Sequence, residues 1–206
     1  MKLIIANKRF SSWSLRPWLA LTQSGLMFEE ELIRLGPDMA AQTPAPTGKV
    51  PALVDGELVV YESLAICEYI AEAAPHLWPA DRAARARARA LSHEMHAGFS
   101  ALRSSCSMDL YADEPDHVMN PATARDVARI NALVTEAITQ SGGPFLFGDF
   151  SIADAMYAPV VFRFLSYHLP VTTPEMKAWI GAIVGMPAIA DWRAAAELEA
   201  DWGEHP

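Results

Sequence analysis

Between Leu77 and Asp81 the chain changes its hydrophobic rhythm, and this switch constrains the fold more than any other feature. Up to about Leu77, short apolar runs of strand length alternate with amphipathic stretches; from Asp81 onward the pattern is helix after helix. Two domains are therefore expected, residues 1–77 and 81–206, joined by the proline-bounded segment Pro75-His76-Leu77-Trp78-Pro79. In the first, the runs from residue 3 to 7 and from 28 to 34 read as strands on either side of a helix that Pro17 opens and that ends near Gly25. A loop carrying Pro44 and Pro46 follows. Next come two β-rich runs around the turn Asp55-Gly56, and a helix from residue 64 to 74 with Ser63 as its N-cap. The second domain is read as five helices: 81 to about 110, 122–140, 152–166, 174–184 and 188–200.

Strand, helix, strand, hairpin and helix is the thioredoxin-like order, and a right-handed crossover makes its first two strands parallel. The expected fold class is thus an α/β N-terminal thioredoxin-like domain (βαβ-ββα) followed by an all-α helical-bundle domain.

Charge and composition narrow the function. A net charge of −9 disfavours a nucleic-acid partner, since phosphate binding needs a basic surface. No apolar run reaches the roughly 18 residues of a membrane span, and the apolar part of the N-terminus is too short for a signal peptide, so a cytoplasmic protein with no membrane partner is expected. Cys67 and Cys106 form neither a CxxC nor a metal-ligand spacing and are expected as buried, reduced thiols. His93 and His96 share a helix face without an evident third ligand, so no metal is expected. Trp179 and Trp192, set among alanines and aliphatic residues, are expected in the core, and Arg82, Arg85, Arg87 and Arg89 on a solvated or subunit-facing surface.

Three segments carry chemistry. Arg9-Phe10-Ser11-Ser12-Trp13-Ser14-Leu15-Arg16-Pro17 places hydroxyl residues between a strand and a helix start, where unpaired N–H groups and the helix dipole stabilise an anion. A thiolate fits such a site. Gly48-Lys49-Val50-Pro51-Ala52-Leu53 sets a proline at a strand start, where a cis Val50–Pro51 bond would turn the Val50 backbone toward a peptide-like ligand. In Tyr61-Glu62-Ser63, Ser63 and its amide suit a carboxylate and Glu62 an ammonium group, so the pair suits the end of an α-amino acid.

In this order and spacing the three segments resemble the glutathione S-transferase family. A fourth, Phe147-Gly148-Asp149-Phe150-Ser151-Ile152-Ala153-Asp154, is similar to that family's N-capping box and hydrophobic staple in the helical domain. The turn from Ser11 to Arg16 is similar to the Ser-Ser-Cys-Ser-x-Arg turn of the zeta class, with Trp13 in place of the cysteine. The absent cysteine also disfavours mixed-disulfide chemistry. The resemblance implies glutathione as co-substrate, with Ser11, or Ser12 as runner-up, donating to its sulfur. Lys49 and Val50 would hold the glutathione peptide, and Glu62 and Ser63 its γ-glutamyl end. Trp13, His96, Phe99 and Arg103 would line the substrate pocket. The implied activity is attack of a stabilised thiolate on a small apolar electrophile, by a homodimer acting in detoxification. Two alternatives are a glutathione-dependent cis-trans isomerase of the maleylacetoacetate type and a non-catalytic binding or stress-response protein.

Overall fold

The computed structural model describes residues 1–199, so the C-terminal segment Asp201-Trp202-Gly203, expected from sequence to help shape substrate choice, lies outside the described residues. The chain begins with β1 (Lys2–Ala6), α1 (Ser12–Ser24) and β2 (Glu29–Ile33), then a short α2 (Met39–Gln42) inside the proline-rich loop. The hairpin β3 (Ala52–Asp55) and β4 (Leu58–Tyr61) leads into α3 (Ser63–Ala73). The sheet order is β2-β1-β3-β4, with β1 and β2 parallel and the other pairs antiparallel. The βαβ crossover and the hairpin are thus both present. The run from Pro75 to Leu77 is a 3₁₀ turn, and Leu77 and Trp78 are buried in the core rather than solvated as a linker.

Among the described residues six helices follow: α4 (Arg82–Ala97), α5 (Ser100–Ser105), α6 (Pro121–Ser141), α7 (Ile152–Ser166), α8 (Pro174–Val184) and α9 (Pro187–Glu197). The single long helix expected from residue 81 to 110 is broken. A Cβ on Gly98 would come within 2.6 Å of the Glu94 carbonyl oxygen, and Phe99 adopts left-handed φ 56°, so the chain turns before α5 begins. The first helix also departs from expectation. It starts at Ser12, with Ser11 as its N-cap, and Pro17 lies inside it. Proline there forfeits one helical hydrogen bond, which a short, well-capped helix packed on both sides tolerates. Glu62 rather than Ser63 occupies the N-cap position of α3.

One hydrophobic cluster runs through both halves, from Leu3, Ile5 and Leu53 of the sheet through Leu15 and Leu19 of α1 to Met156, Tyr157 and Val160 of α7. Trp179 and Trp192 are fully buried within it, as are Cys67 and Cys106, both free thiols. A smaller cluster of Ile4, Ile33, Ala45 and Ala52 covers the other sheet face. Helix α7 is the central strut. Asp154 Oδ2 accepts from the N–H and hydroxyl of Ser151, both at 2.9 Å, closing the capping box foreseen for this segment. Its Oδ1 accepts from Leu146 N–H at 2.9 Å and from Trp179 Nε1–H at 3.0 Å. Phe150, just ahead of the cap, packs edge-on against Phe145. No helix among the described residues is long and apolar enough to cross a membrane.

Candidate functional site

The loop from Asn7 to Ser11 carries the chain from β1 into α1, and every part of it is tied down. The Asn7 carbonyl accepts from Phe10 N–H at 3.2 Å and Ser11 N–H at 2.9 Å, while its side-chain oxygen accepts from Leu35 N–H at 2.8 Å. The far end of the chain reaches the same loop. Trp192 Nε1–H donates to the Lys8 carbonyl at 3.0 Å, and the Glu199 carboxylate accepts from the N–H groups of Lys8 and Arg9. Lys8 Nζ in turn pairs with Glu30, whose other oxygen accepts from Trp18 Nε1–H.

The two candidate serines differ in what their hydroxyls do. Ser11 is buried; its Oγ–H donates to Ser14 Oγ at 2.7 Å, and its Oγ accepts from Ser14 N–H at 3.4 Å. Ser14 Oγ also takes the Ala6 N–H at 3.1 Å, so these two serines stitch helix to strand. Ser12, at the first helical position and half-buried, accepts at long range from Arg163 Nη2 of α7, 3.5 Å away. That leaves its own O–H proton for another acceptor.

Beside this turn lies a cavity of about 250 Å³ walled by Trp13, Thr47, Lys49, Val50, Pro51, Glu62, Ser63 and Arg103. Six of the residues singled out in the sequence therefore converge, from four separate segments. The Val50–Pro51 peptide bond is cis. Glu62 has φ 69° and ψ 123°, a conformation that costs a non-glycine residue of order 1–3 kcal/mol and is retained where the surroundings dictate it. Ser63, 1% exposed and at the start of α3, has an Oγ with no hydrogen-bond partner although it is buried in the cavity wall. A buried hydroxyl left unpaired is unfavourable by about 1–3 kcal/mol, and a ligand oxygen would relieve it.

His96 reaches the same region from α4: its Nε2 lies 3.6 Å from Glu62 Oε2 and its ring packs edge-on against Trp13 at 5.3 Å. Burial, then the Arg16 charge, push its pKa down against the pull of Glu62. His93 instead bonds the Arg89 carbonyl, so the two histidines of α4 have separate partners. Phe99 is not in the cavity wall; its ring is buried against Tyr157 in the core.

Sequence reasoning placed Arg103 in the pocket but gave no role to Arg16 or Arg163. Arg16 lies 4.1 Å from the Trp13 ring centroid and Arg103 lies 4.9 Å from it, so the indole takes two cation–π contacts. Arg16 is 1% exposed, with Nε and Nη1 unpartnered; Arg163 is 5% exposed, with Nε unpartnered. No carboxylate among the described residues pairs with Arg16, Arg103 or Arg163. Burial, then mutual repulsion, push Arg16 down to about 9 and Arg163 to about 10, which leaves both charged at neutral pH. The available signal was Arg163 itself, the one cation in the largely apolar helix Ile152–Ser166, whose other charged residue, Asp154, serves the cap.

The family models for the N-terminal and the C-terminal domain of glutathione S-transferase match residues 10–73 and 120–195. Glutathione S-transferase 3 of Zea mays is 31% identical over 198 residues, covering 86% of this chain and 87% of that protein. The chain belongs to the glutathione S-transferase family. Solved family structures superpose over nearly its whole length. A glutathione transferase homolog from Burkholderia gl BGR1, crystallised with bound glutathione, has a TM-score of 0.74 at 24% identity, covering 95% of this chain and 97% of its own. A maleyl pyruvate isomerase, a bacterial zeta-class glutathione S-transferase, has a TM-score of 0.72 at 26% identity, covering 95% and 98%.

Proposed function

We propose that this glutathione S-transferase binds glutathione in the cavity beside α1 and holds its sulfur as a thiolate for attack on a small apolar electrophile. The observation that carries the reading is the unpaired, buried Ser63 hydroxyl at the N-terminus of α3, next to Glu62 held at positive φ. Ser63 and the α3 dipole suit the γ-glutamyl carboxylate, and Glu62 suits its ammonium group. Lys49 and the Val50 backbone are offered to the peptide portion.

The sulfur then lies at the start of α1. A free thiol titrates near 8.5, and each unit of depression is worth about 1.4 kcal/mol. A hydroxyl donor plus a helix N-terminus supply one or two units. Of the two candidate donors, the bonding pattern favours Ser12, because Ser11 already gives its proton to Ser14. Catalysis in this scheme is activation plus proximity, with the serine as donor to the sulfur and not as nucleophile. Residues 1–77 would hold glutathione, and residues 81–206 would shape the electrophile side through His96 and Arg103. We further propose a cytoplasmic homodimer with a detoxifying role.

A second reading has one observation in its favour. Arg103 in the cavity wall and Arg16 behind Trp13 have no carboxylate partner among the described residues, which suits an acidic co-substrate and hence glutathione-dependent isomerisation of an unsaturated diacid. The test is glutathione binding by calorimetry, followed by turnover of an aryl halide and of an acidic cis-alkene. Aryl-halide conjugation supports the transferase, isomerisation of the cis-alkene supports the second reading, and binding with neither activity indicates a non-catalytic role. Absence of glutathione binding refutes both enzymatic readings.

A further inference from the structure

Arg163 lies on α7, 151 residues from Ser12, in the half of the chain that the glutathione reading reserves for the electrophile. Its guanidinium is nonetheless aimed at the first residue of α1. One nitrogen donates to the Pro159 carbonyl of its own helix at 3.3 Å, Nη2 points to Ser12 Oγ, and Nε has no partner. The charged and titratable groups facing it are Arg103, Cys106 and Tyr167. Burial pushes the Cys106 thiol and the Tyr167 phenol upward, so neither is an anion at neutral pH. Arg16 repeats the pattern one turn along α1: buried, partly unpartnered and without a carboxylate partner among the described residues. Two desolvated cations without counter-ions oppose folding, and a fold that keeps them leaves a region of positive potential that an anion would relieve. That region surrounds the N-terminus of α1, where the helix dipole adds the same sign.

We propose that Arg163 is a positioning residue for the thiolate: it holds the Ser12 hydroxyl as acceptor, turns its proton toward the glutathione sulfur, and with Arg16 supplies the positive potential that keeps that sulfur ionised. The inference rests on the glutathione reading above. Activation of the nucleophile would then depend on the packing of α7 against α1, so the helical half would act on the sulfur as well as on the second substrate. A guanidinium donating to Ser12 Oγ polarises the hydroxyl, and a polarised O–H is the stronger donor to an anion.

The test is an ultraviolet difference titration of the bound glutathione thiol in the wild type, Arg163→Met, Arg163→Gln, Arg163→Lys, Ser12→Ala and the double variant Ser12→Ala/Arg163→Met. Arg163→Met and Arg163→Gln are two neutral replacements of similar length, so one remains should the other not fold. Expected is a rise of the thiol pKa by about one unit in each neutral variant, a thiolate fraction at pH 7 smaller by about three- to eightfold, with glutathione affinity at acid pH within about twofold of wild type. Arg163→Lys retains most of the depression, because it keeps the charge. The double variant shifts the thiol by less than the sum of the two single variants, because part of the Arg163 effect passes through that hydroxyl. A neutral variant whose bound thiol titrates as in the wild type, or a double variant whose shift is the sum of both, overturns the assignment and leaves the glutathione reading standing. A wild-type protein that binds no glutathione, or binds it with an unshifted thiol, overturns that reading and this inference with it.

Discussion

Arg9 and Asp109 meet in a two-pronged ion pair, Nε to Oδ1 and Nη2 to Oδ2, both at 2.8 Å, which spans 100 residues of sequence. Arg9 opens the serine turn, and Asp109 lies just beyond α5, so the pair ties the serine loop to the helical half. Asp109 also accepts from Tyr111 N–H at 3.0 Å, and the Arg9 guanidinium lies over the Tyr111 ring at 5.6 Å. Its bidentate geometry sets it apart from an ordinary surface pair.

Asp109→Asn is therefore expected to lower stability by about 1–2 kcal/mol at neutral pH, measured by urea denaturation. Burial pushes the Asp109 carboxyl upward, but the Arg9 bond and the backbone donors outweigh it, and the net shift is downward. The folded state thus binds its proton less readily than the unfolded chain. The stabilisation is complete above the usual carboxylate range and is lost as the pH falls through the lowered value. The gap between wild type and variant should close in acid; a gap that persists there would rule out the ion pair as its source.

Ser11 and Ser12 are expected to separate into a structural and a functional serine. Ser11→Ala removes a helix cap and a buried bond to Ser14, and should lower stability by about 1 kcal/mol. Ser12→Ala should change stability by less than about 0.5 kcal/mol while raising the pKa of the bound thiol. Equal destabilisation by the two, in matched urea titrations, would contradict this division.

Ser63→Ala should weaken glutathione binding by about tenfold without lowering stability, a combination that ordinary core serines do not give. The reason is that Ser63 Oγ is buried with no partner among the described residues, so deleting it removes an unfavourable group, whereas in the complex it removes a hydrogen bond to a charged ligand. Calorimetry with glutathione and thermal denaturation of the free protein give the two readouts. A destabilised variant with unchanged affinity would contradict the placement of glutathione.

Asp154 should be the most sensitive of these positions. Asp154→Ala strands the donors of Leu146, Ser151 and Trp179 in the core and is expected to destabilise by about 3–5 kcal/mol. Burial pushes this carboxyl up to about 6 against the pull of those donors. Its folded value is above the unfolded one, so its contribution is full below the unfolded carboxylate range and is lost as pH rises through about 6. Relative to Asp154→Asn, wild-type stability should fall between pH 4 and pH 7, and parallel pH profiles of the two proteins would refute the shift.

Much of this was legible in the sequence because it is local. The alternation of β3 and β4 around Asp55-Gly56, the capping box at Ser151 and Asp154 and the convergence of Lys49, Val50, Glu62 and Ser63 all follow from motifs of a few residues whose geometry is fixed within one turn or one strand pair. The start of α1 was misplaced because Pro17 is a strong local signal, whereas the Ser11 cap depends on Ser14 also meeting Ala6 of β1. The break at Gly98 was hidden because glycine within a helical pattern signals a turn only when the next residue is held at positive φ.

What the sequence by itself determined was the order of elements, their caps and the family motifs, since hydrophobic period and hydrogen-bond stoichiometry act over short stretches of chain. The packing of α7 against α1 decided the rest: which serine keeps a free proton, and that Arg16, Arg103 and Arg163 gather around Trp13 and Ser12 with no carboxylate among the described residues paired to them. Charges far apart in sequence interact only once burial removes the water between them, and that burial exists only in the assembled tertiary structure.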